Sequence, residues 1–371
     1  MKKNVLQLIG SFHQGGSERQ AVQLSKLLIR DGSVNVFVAT LNRDGVLLDE
    51  LGSEYSSPIP EFKLVSFRDL NFAEQAIRCA KFLRDNRIDV IHTHDFYTNI
   101  FGMAAATIAR ASMRIASKRE TGGMRSRYQD AVEGFAFRQA HRIVVNSDSV
   151  GRYLAGRGID TEKISLIYNG VDLERLKPAT GDTTAIRESL RLPTEGPIVT
   201  LVANLRHRVK NQPMFVRAAK RVLAHFPETH FVLAGEGELR GELESLALEL
   251  GIEKSVHLIG RCDCVPELLA ASSIGVLTSD YEGFPNSILE YMAAALPVVA
   301  TRVGGAAESI TEGETGYLVE AGDEAALADR MLDLLKDRQT ASAFGERGRA
   351  VVETNFSCAA QLRRTLEIYG V

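Results

Sequence analysis

The feature that most constrains the fold of this chain is an alternation of short apolar, β-branched segments with amphipathic helical segments, which occurs in both halves. Predicted strands of the first half cover residues 5–9, 34–41, 90–93, 114–117, 143–146 and 164–167. Those of the second half cover residues 198–202, 231–234, 256–259, 274–278, 298–301 and 317–319. Continuous apolar strands separated by helices indicate parallel sheets that are covered on both faces. We therefore predict an α/β fold with two doubly wound, Rossmann-like parallel-sheet domains.

The length of 371 residues also favours two domains over one. We predict an N-terminal domain over 1–176, a linker rich in Pro, Gly, Thr and charged residues over 177–197, and a C-terminal domain over 198–355. A last helix over 356–371 is predicted to pack back on the N-terminal domain. Ligands of doubly wound sheets bind at the carboxyl ends of strands, where strand order reverses. With two facing sheets, we expect the site in the cleft between the domains.

The composition argues against several classes of protein. A hydrophobic share of 45% and a charged share of 25% are typical of globular proteins, and the net charge of −3 argues against a nucleic-acid partner. The longest apolar stretch is too short to span a bilayer, and the N-terminus does not resemble a signal peptide. We therefore expect a cytoplasmic protein, with peripheral contact at the inner face of the membrane left open. Because Cys262 and Cys264 lack a second pair at metal-ligand spacing, no metal is expected.

The most specific motif is the run Glu282-Gly283-Phe284-Pro285-Asn286-Ser287-Ile288-Leu289-Glu290, which follows a predicted strand. Gly283 and Pro285 prevent a helix before Asn286, which we predict to be the N-cap of the next helix. Two carboxylates, one in the loop and one in the helix, then lie near a helix N-terminus, whose free N–H groups favour an anion. Such a site can accept sugar or ribose hydroxyls and hold a phosphate.

This run resembles the signature of the family 4 retaining glycosyltransferases, which have the GT-B fold. Four further motifs extend the resemblance over the chain: Gly15-Gly16-Ser17-Glu18, Asn169-Gly170-Val171-Asp172, Gly235-Glu236-Gly237 and Val303-Gly304-Gly305-Ala306-Ala307-Glu308. The resemblance implies sugar transfer from a nucleotide-sugar co-substrate, with a UDP-sugar favoured and GDP-mannose as the alternative. The implied acceptor is a glycan or a lipid-linked molecule in cell-envelope or exopolysaccharide synthesis.

The resemblance also implies roles for individual residues. Glu290 would bind the ribose hydroxyls, and Glu282 would contact the transferred sugar. Arg206 and Lys210 would neutralise the diphosphate, with Arg208 as a substitute, because Asn204 stands where relatives usually have an arginine. The implied catalytic residues are thus Glu282, Arg206 and Lys210. The implied donor-binding residues are Gly16, Arg208, Gly235, Cys262, Gly283, Phe284, Pro285, Asn286, Ser287 and Glu290.

The acceptor side is less specific. His94 and Asp95 follow a predicted strand. We expect either that they contact the acceptor or the sugar, or that His94 is a structural residue whose ring is hydrogen-bonded within the protein. Arg119 stands where many relatives have a histidine. Because an arginine cannot act as a base at neutral pH, phosphate binding or substrate orientation is the expected role. Arg119 would form a basic cluster with three neighbours, Lys118, Arg125 and Arg127. Such a cluster suits an anionic acceptor or a membrane surface. The alternative is a loop whose charges are simply solvated.

The motifs also suggest a reaction course. With Glu282 assigned to the sugar, the sequence offers no nucleophile for a double displacement. For the retention that the resemblance implies, we therefore predict same-face transfer, in which the departing phosphate oxygen helps to deprotonate the acceptor. Two alternatives remain open: another enzyme on the same fold, such as an epimerase or a phosphorylase, and a non-catalytic subunit that binds a sugar nucleotide.

Overall fold

The computed structural model describes residues 2–13, 15–64, 70–121, 125–177 and 181–371. The chain divides into two compact units, each built on one sheet. Unit 1 comprises Met1–Gly170 and Cys358–Val371, and unit 2 comprises Val171–Ser357. Both sheets are parallel and six-stranded and are flanked by helices, which confirms the predicted fold class.

The strands begin and end close to the predicted apolar segments. Those of unit 1 are β1 (Asn4–Ile9), β2 (Asn35–Thr40), β3 (Val90–Thr93), β4 (Met113–Lys118), β5 (Arg142–Val145) and β6 (Ile164–Leu166). Those of unit 2 are β7 (Ile198–Val202), β8 (His230–Ala234), β9 (Val256–Gly260), β10 (Ile274–Leu277), β11 (Val298–Thr301) and β12 (Gly316–Val319).

The helices fill the connections between the strands. The first six are α1 (Gly16–Asp31), α2 (Leu47–Gly52), α3 (Leu70–Asp85), α4 (Phe96–Ala109), α5 (Arg127–Gln139) and α6 (Asp148–Gly156). The next five are α7 (Thr184–Ser189), α8 (Gln212–Leu223), α9 (Arg240–Glu249), α10 (Val265–Ala270) and α11 (Asn286–Ala293). The last four are α12 (Ala306–Ser309), α13 (Glu324–Lys336), α14 (Arg338–Asn355) and α15 (Cys358–Tyr369). None of the helices formed by the described residues combines the length and low polarity that crossing a membrane requires.

Each sheet has one switch point, which is the place where the strand order reverses. The first sheet has the order β2-β1-β3-β4-β5-β6, so the chain leaves β1 toward β2 and later returns to β3 on the other side. The second has the order β12-β11-β10-β7-β8-β9, and β7 and β10 flank the reversal. Loops that follow such strands diverge to opposite faces of the sheet and leave a crevice between them. The loops after β1, β3, β7 and β10 therefore define the places to search for a ligand.

Helix α15 completes unit 1 although it lies at the end of the sequence. Tyr369 is buried in a core cluster together with Val5 of β1 and Leu24 and Leu28 of α1. Gly170 makes room for the start of this helix, because a Cβ atom there would lie 3.0 Å from the Cα atom of Cys358. Unit 1 thus takes its last element from residues that follow the whole of unit 2.

The segment expected to be a linker over 177–197 is structured where it is described. Residues 184–189 form α7, and Leu192 is buried beside Ile198 and Val232 of the second sheet. The Arg187 guanidinium donates to the carbonyl oxygens of Gly196, at 2.8 Å, and Ala271, at 3.2 Å. Residues 181–197 therefore pack as part of unit 2, because their few apolar side chains and this arginine are anchored to its sheet.

Candidate functional site

In unit 2, the candidate site lies where β7 and β10 end side by side. The loop after β7 contributes residues 203–211, and the loop after β10 contributes residues 278–285. Helix α11 follows directly, with Pro285 as its N-cap and without a side-chain cap. The prediction that Asn286 is the N-cap is wrong by one residue: Pro285 already has the extended backbone of a cap, and Asn286 is the first helical residue. The N–H groups of this first turn, which the backbone of the helix cannot pair, lie beside the loop that carries Glu282.

An ion pair joins the two loops. Lys210 Nζ lies 2.5 Å from Glu282 Oε1, and the Ser279 hydroxyl donates to the same oxygen at 2.6 Å. The side chains of Lys210 and Glu282 are 23% and 11% exposed, so both charges are largely sheltered yet still reach the surface. An ammonium and a carboxylate held in this way can each exchange their protein partner for a ligand. The ammonium suits an anion, and the carboxylate suits hydroxyl groups.

Backbone and side-chain contacts fix the turn that presents Lys210. The turn ends at Asn211, whose φ of 45° lies in the left-handed region. Thr278 Oγ1 donates to the Lys210 carbonyl at 2.8 Å, and Asn211 Nδ2 donates to Asp280 Oδ1 at 2.9 Å. The Asp280 N–H donates to the Val209 carbonyl at 2.8 Å. Sequence reasoning missed these positioning residues, although an asparagine is the non-glycine residue that best tolerates this conformation and could have signalled the turn.

Two glycines after β11 allow the loop over 282–285 to pack closely. Gly305 N–H donates to the Gly283 carbonyl at 2.7 Å. A Cβ atom at Gly304 would collide with the Glu282 carbonyl oxygen, and one at Gly305 would collide with the Phe284 ring. Phe284 itself is buried, with its ring centre 5.4 Å from that of Phe356. The motif residues Phe284 and Pro285 therefore serve as the buried base of the loop that carries Glu282.

The other two predicted cations point elsewhere. Arg206 Nη2 lies 2.8 Å from Glu236 Oε1 in the loop after β8. Arg208 makes two hydrogen bonds to the Glu242 carboxylate of α9, at 3.0 and 2.8 Å. Of the three cations, the structure brings Lys210 to Glu282 and leaves both arginines in exposed ion pairs. Because exposed pairs of this kind contribute little to stability, an anion could recruit either arginine at small cost.

Gly235 and Cys262 lie on the β8 and β9 side of the same sheet. Gly235 N–H donates to the Gly260 carbonyl at 2.8 Å, and a Cβ atom at Gly235 would collide with the Ala203 carbonyl oxygen. The loops after β7 and β8 are therefore in direct contact. Cys262 Sγ lies 3.5 Å from Cys264 Sγ, and burial together with this contact raises the pKa of Cys262 to about 12. The Cys262 side chain therefore remains a neutral thiol at physiological pH.

Ser287 and Glu290 are partly exposed on α11, while Tyr291 anchors the helix. The Tyr291 hydroxyl accepts from the Val202 N–H at 2.7 Å and donates to the Val276 carbonyl at 3.3 Å. Burial raises the pKa of Tyr291 well above its usual value, so the hydroxyl keeps its proton. Both switch-point strands thus hold α11 in place through one side chain, which fixes Glu290 beside it.

In unit 1, the corresponding switch point lies between β1 and β3. Helix α1 starts at Gly16 in the loop after β1, and Asp95 caps α4 in the loop after β3. The Asp95 carboxylate accepts from the Tyr97 and Thr98 N–H groups at 2.8 and 3.0 Å. A Cβ atom at Gly10 would collide with this carboxylate. Asp95 therefore acts as a helix cap in this structure, and burial raises its pKa.

His94 belongs to a buried hydrogen-bond chain. Its Nε2 lies 2.8 Å from Gln7 Oε1, and Gln7 Nε2 donates to the Tyr369 hydroxyl at 2.8 Å. That hydroxyl lies 2.7 Å from His92 Nδ1, and His92 Nε2 lies 2.8 Å from Ser117 Oγ. Burial lowers the pKa of His92 to about 3 and that of His94 well below its usual value, so both rings are neutral. Within the described part of the chain, His94 Nδ1 has no hydrogen-bond partner.

Arg119 lies in the loop after β4, close to His92 and His94 of the buried hydrogen-bond chain. Its Nη1 donates to Asn169 Oδ1 at 2.6 Å, while its buried Nε atom has no partner among the residues that the structure describes. Burial lowers the pKa of Arg119 to about 10, and the nearby Glu18 charge opposes that shift. Burial also raises the pKa of Glu18. Arg119 therefore remains a cation at neutral pH. It contacts Asn169, the first residue of the Asn169-Gly170-Val171-Asp172 motif.

The predicted basic cluster around Arg119 is not one open patch. Lys118 Nζ lies 2.7 Å from Glu133 Oε2, and both side chains are only 4% exposed. Arg125 Nε lies 2.9 Å from Glu120 Oε1, and its guanidinium lies 4.1 Å from the centre of the Phe96 ring. Two of the four cations are thus neutralised within the fold because two acidic residues of the same region face them.

No group of three or more His, Cys, Asp or Glu side chains in the described ranges could hold a metal ion. The Lys210 ammonium and the N–H groups of the first turn of α11 are groups that suit an anion.

Two family models match the chain in succession. The model described as Glycosyltransferase Family 4 matches residues 14–175, and the model described as Glycosyl transferases group 1 matches residues 182–351. The chain belongs to glycosyltransferase family 4. It is therefore a glycosyltransferase, and the family resemblance inferred from its motifs is confirmed.

Curated relatives agree with this membership, and a solved structure shares the fold. The chain is 27% identical over 271 residues to the Escherichia coli UDP-Gal:alpha-D-GlcNAc-diphosphoundecaprenol alpha-1,3-galactosyltransferase, a match over 70% of this chain and 69% of the relative. It is 35% identical over 193 residues to the Bacillus anthracis N-acetyl-alpha-D-glucosaminyl L-malate synthase, over 52% of this chain and 50% of that relative. The crystal structure of Anabaena HepE in complex with UDP and glucose superposes with a TM-score of 0.88 at 22% identity over the whole of both chains, which shows a common fold.

Proposed function

We propose that this glycosyltransferase transfers a sugar from a UDP-sugar to a glycan or lipid-linked acceptor. The observation that carries the proposal is the Lys210–Glu282 ion pair, which joins the loops after β7 and β10 at the switch point of unit 2. It pairs a cation for a diphosphate with a carboxylate for sugar hydroxyls, beside the N-terminus of α11. The name of the Escherichia coli relative includes a UDP-sugar and the Anabaena HepE structure holds UDP, which supports a UDP-sugar as the donor; GDP-mannose, named for a Corynebacterium glutamicum relative, is the alternative.

The donor is proposed to bind across this switch point. Glu290, on the partly exposed side of α11, accepts hydrogen bonds from the ribose hydroxyls. Glu282 leaves its ion pair with Lys210 and accepts hydrogen bonds from hydroxyls of the transferred sugar. The N–H groups of the first turn of α11 and of the loop over 283–286 are proposed to complete the sugar and phosphate contacts. Gly16, Gly235 and the backbone near Cys262 are proposed as further donor contacts. Gly16 begins the helix that follows β1, and Gly235 and Cys262 follow β8 and β9, so each lies at the carboxyl end of a strand of its own sheet.

Cleavage of the donor places negative charge on the departing diphosphate. Lys210 is proposed to neutralise that charge, with Arg206 or Arg208 released from its exposed ion pair as a second cation. A preorganised donor of this kind typically stabilises a transition state by about 2.7–4 kcal/mol. Since these side chains can supply the positive charge, we propose that the reaction does not require a metal.

The transfer is proposed to proceed with retention on one face of the sugar. His94 is a poor proton acceptor because burial holds its pKa well below the usual value, and Arg119 stays cationic at neutral pH. The acceptor hydroxyl is therefore expected to give its proton to the departing phosphate oxygen as its own oxygen bonds to the anomeric carbon. Protein groups then contribute positioning and charge stabilisation.

The acceptor is proposed to be an anionic, lipid-linked or glycan molecule of cell-envelope or exopolysaccharide synthesis. The Escherichia coli relative is named for a diphosphoundecaprenol-linked acceptor, which supports this class. The Arg119 guanidinium, held by Asn169, is a suitable group to orient an acceptor phosphate. Such an acceptor implies a cytoplasmic enzyme that works at the inner face of the membrane.

A screen of UDP-, GDP- and ADP-sugars by thermal shift tests the donor assignment, and the UDP-sugars are expected to raise the melting temperature most. The anomeric configuration of the product, read by NMR, tests retention, and an inverted product would refute the proposed course. Donor turnover without acceptor would favour an epimerase or hydrolase. Binding without turnover, and biological activity that survives Glu282→Ala, would indicate a non-catalytic subunit.

A further inference from the structure

The outer face of α5 carries an apolar stripe that does not contribute to the core. Tyr128 and Phe135 are 59% and 63% exposed, whereas aromatic side chains of this size are usually buried. They are seven residues apart on the helix and therefore lie on the same face, with the exposed Ala131 between them. Arg127 and Arg138 are exposed at the two ends of this stripe.

The acidic residues of α5 do not contribute to the stripe. Glu133 is buried against Lys118, and Asp130 is 11% exposed with Arg157 at 2.9 Å. Since α5 is described throughout, its exposed face presents two arginines and no carboxylate. The surface thus combines aromatic side chains with positive charge that its own helix does not neutralise.

The neighbouring helix extends this apolar character. Helix α4 packs between α3 and α5, and its 14 residues include no charged side chain. It exposes Tyr97 by 48% and Ile108 by 46%. On α3, Ile77 is 57% exposed. Exposed apolar side chains therefore lie on three helices that are neighbours in the fold, α3, α4 and α5.

We propose that the α5 stripe, with the exposed side chains of α4 beside it, docks unit 1 onto the surface of an anionic bilayer. Tyrosine and phenylalanine favour the interfacial layer of a bilayer, and arginines at the ends of the stripe match anionic lipid headgroups. Each arginine near such a surface is expected to strengthen binding about fivefold. The purpose of docking rests on the proposed lipid-linked acceptor, whereas the surface itself can be tested without any sugar transfer.

Co-sedimentation with vesicles of phosphatidylglycerol and phosphatidylcholine tests the docking directly. The protein is expected to bind these vesicles at least tenfold more tightly than vesicles of phosphatidylcholine alone, and to be released by salt. The variant Tyr128→Ser/Phe135→Ser is expected to lose at least tenfold in affinity. Its matched control is Leu248→Ser, since Leu248 is 67% exposed on α9 of unit 2, and this variant should bind as the wild type does.

Charge and fold are tested separately. Arg127→Gln/Arg138→Gln should weaken vesicle binding by more than tenfold, while Arg221→Gln, which removes an exposed arginine of α8, should not. The thermal shift caused by UDP-sugars should be unchanged in every variant, so loss of docking is distinguishable from failure of the proposed donor site. The proposal is overturned if the wild-type protein does not bind anionic vesicles, or if Leu248→Ser loses as much vesicle affinity as Tyr128→Ser/Phe135→Ser. It is also overturned if the α5 variants instead disrupt a dimer seen by size-exclusion chromatography.

Discussion

Replacing Lys210 by alanine separates the structural role of the Lys210–Glu282 pair from its proposed catalytic role. The substitution removes an ammonium 2.5 Å from a carboxylate that is only 11% exposed. At an effective dielectric constant of about 20, two charges about 4 Å apart attract by about 4 kcal/mol. Lost solvation offsets most of this attraction, and the 23% exposure of the lysine side chain admits screening by water. Since Ser279 still donates to the Glu282 carboxylate, we expect the free energy of unfolding to fall by about 1–2 kcal/mol.

The effect on catalysis is expected to be larger than the effect on stability. If Lys210 stabilises the departing diphosphate, its removal costs about 2.7–4 kcal/mol in the transition state, which lowers kcat by about 100- to 1,000-fold. The Michaelis constant for the donor should change much less, because charge accumulates on the diphosphate as the bond breaks. Lys210→Arg keeps the positive charge and should recover part of the rate.

Initial rates and urea unfolding of the same preparations measure both effects. Lys220→Ala is the matched control, because Lys220 is an exposed lysine on the helix that follows the Lys210 turn. The double variant with Glu282→Gln should show a coupling energy in unfolding, since the two side chains form one ion pair. A kcat within threefold of wild type for Lys210→Ala, together with a large loss for Arg206→Ala, would show that another cation carries the diphosphate charge.

Three further predictions concern packing and the buried polar groups. Gly305→Ala should lower stability by about 1–3 kcal/mol and weaken donor binding in a thermal-shift titration, while Gly241→Ala, where a Cβ atom meets open space, should do neither. Because the pKa of His92 is about 3 in the folded protein, the unfolded state binds more protons between about pH 3 and 6.5, so the free energy of unfolding should rise with pH there and level off above it. His92→Gln should reduce the slope of the free energy of unfolding against pH, measured by urea unfolding, by up to about 1.4 kcal/mol per pH unit. Tyr369→Phe removes a hydroxyl from the same buried chain and should cost about 1–3 kcal/mol in urea unfolding, whereas Tyr281→Phe, at an exposed site, should cost nothing measurable.

The strands were predictable because their signal is local. Segment 198–202 becomes β7 and segment 90–93 becomes β3 with the predicted bounds, since both are short apolar runs between turn residues. The linker was predicted to contain one short helix-like segment over 185–190, which corresponds to α7, but the packing of that segment was not predicted. Arg187 fixes that region by contacts with carbonyl groups that include one from Ala271, 84 residues away. A composition rich in Pro, Gly and Thr indicates a loop but does not show where such a loop is anchored.

The residues of the site were recognisable from motifs, whereas their partners were not. Lys210 and Glu282 are 72 residues apart, and their contact depends on β7 and β10 being neighbours in the sheet. Strand order is a property of the whole sheet and leaves no local pattern. The surface ion pairs that divert Arg206 and Arg208 depend on acidic residues in other loops. The sequence therefore identifies which cations are available without showing which of them is presented to the carboxylate.

The switch points of the two units differ in strand order and in the charge and burial of their polar groups. At the switch point of unit 2, Lys210 and Glu282 are charged groups that still reach the surface, so a ligand can replace one partner by another. At that of unit 1, His92 and His94 are buried and neutral, and Asp95 is held by backbone N–H groups. Exchange of partners there would require buried hydrogen bonds to break without replacement, which is costly. The ion pair that a ligand could exchange at low cost thus lies in unit 2. In the proposed function, Arg119 of unit 1 would orient an acceptor without taking its proton, because Arg119 stays cationic at neutral pH and the nearby histidines are buried and neutral.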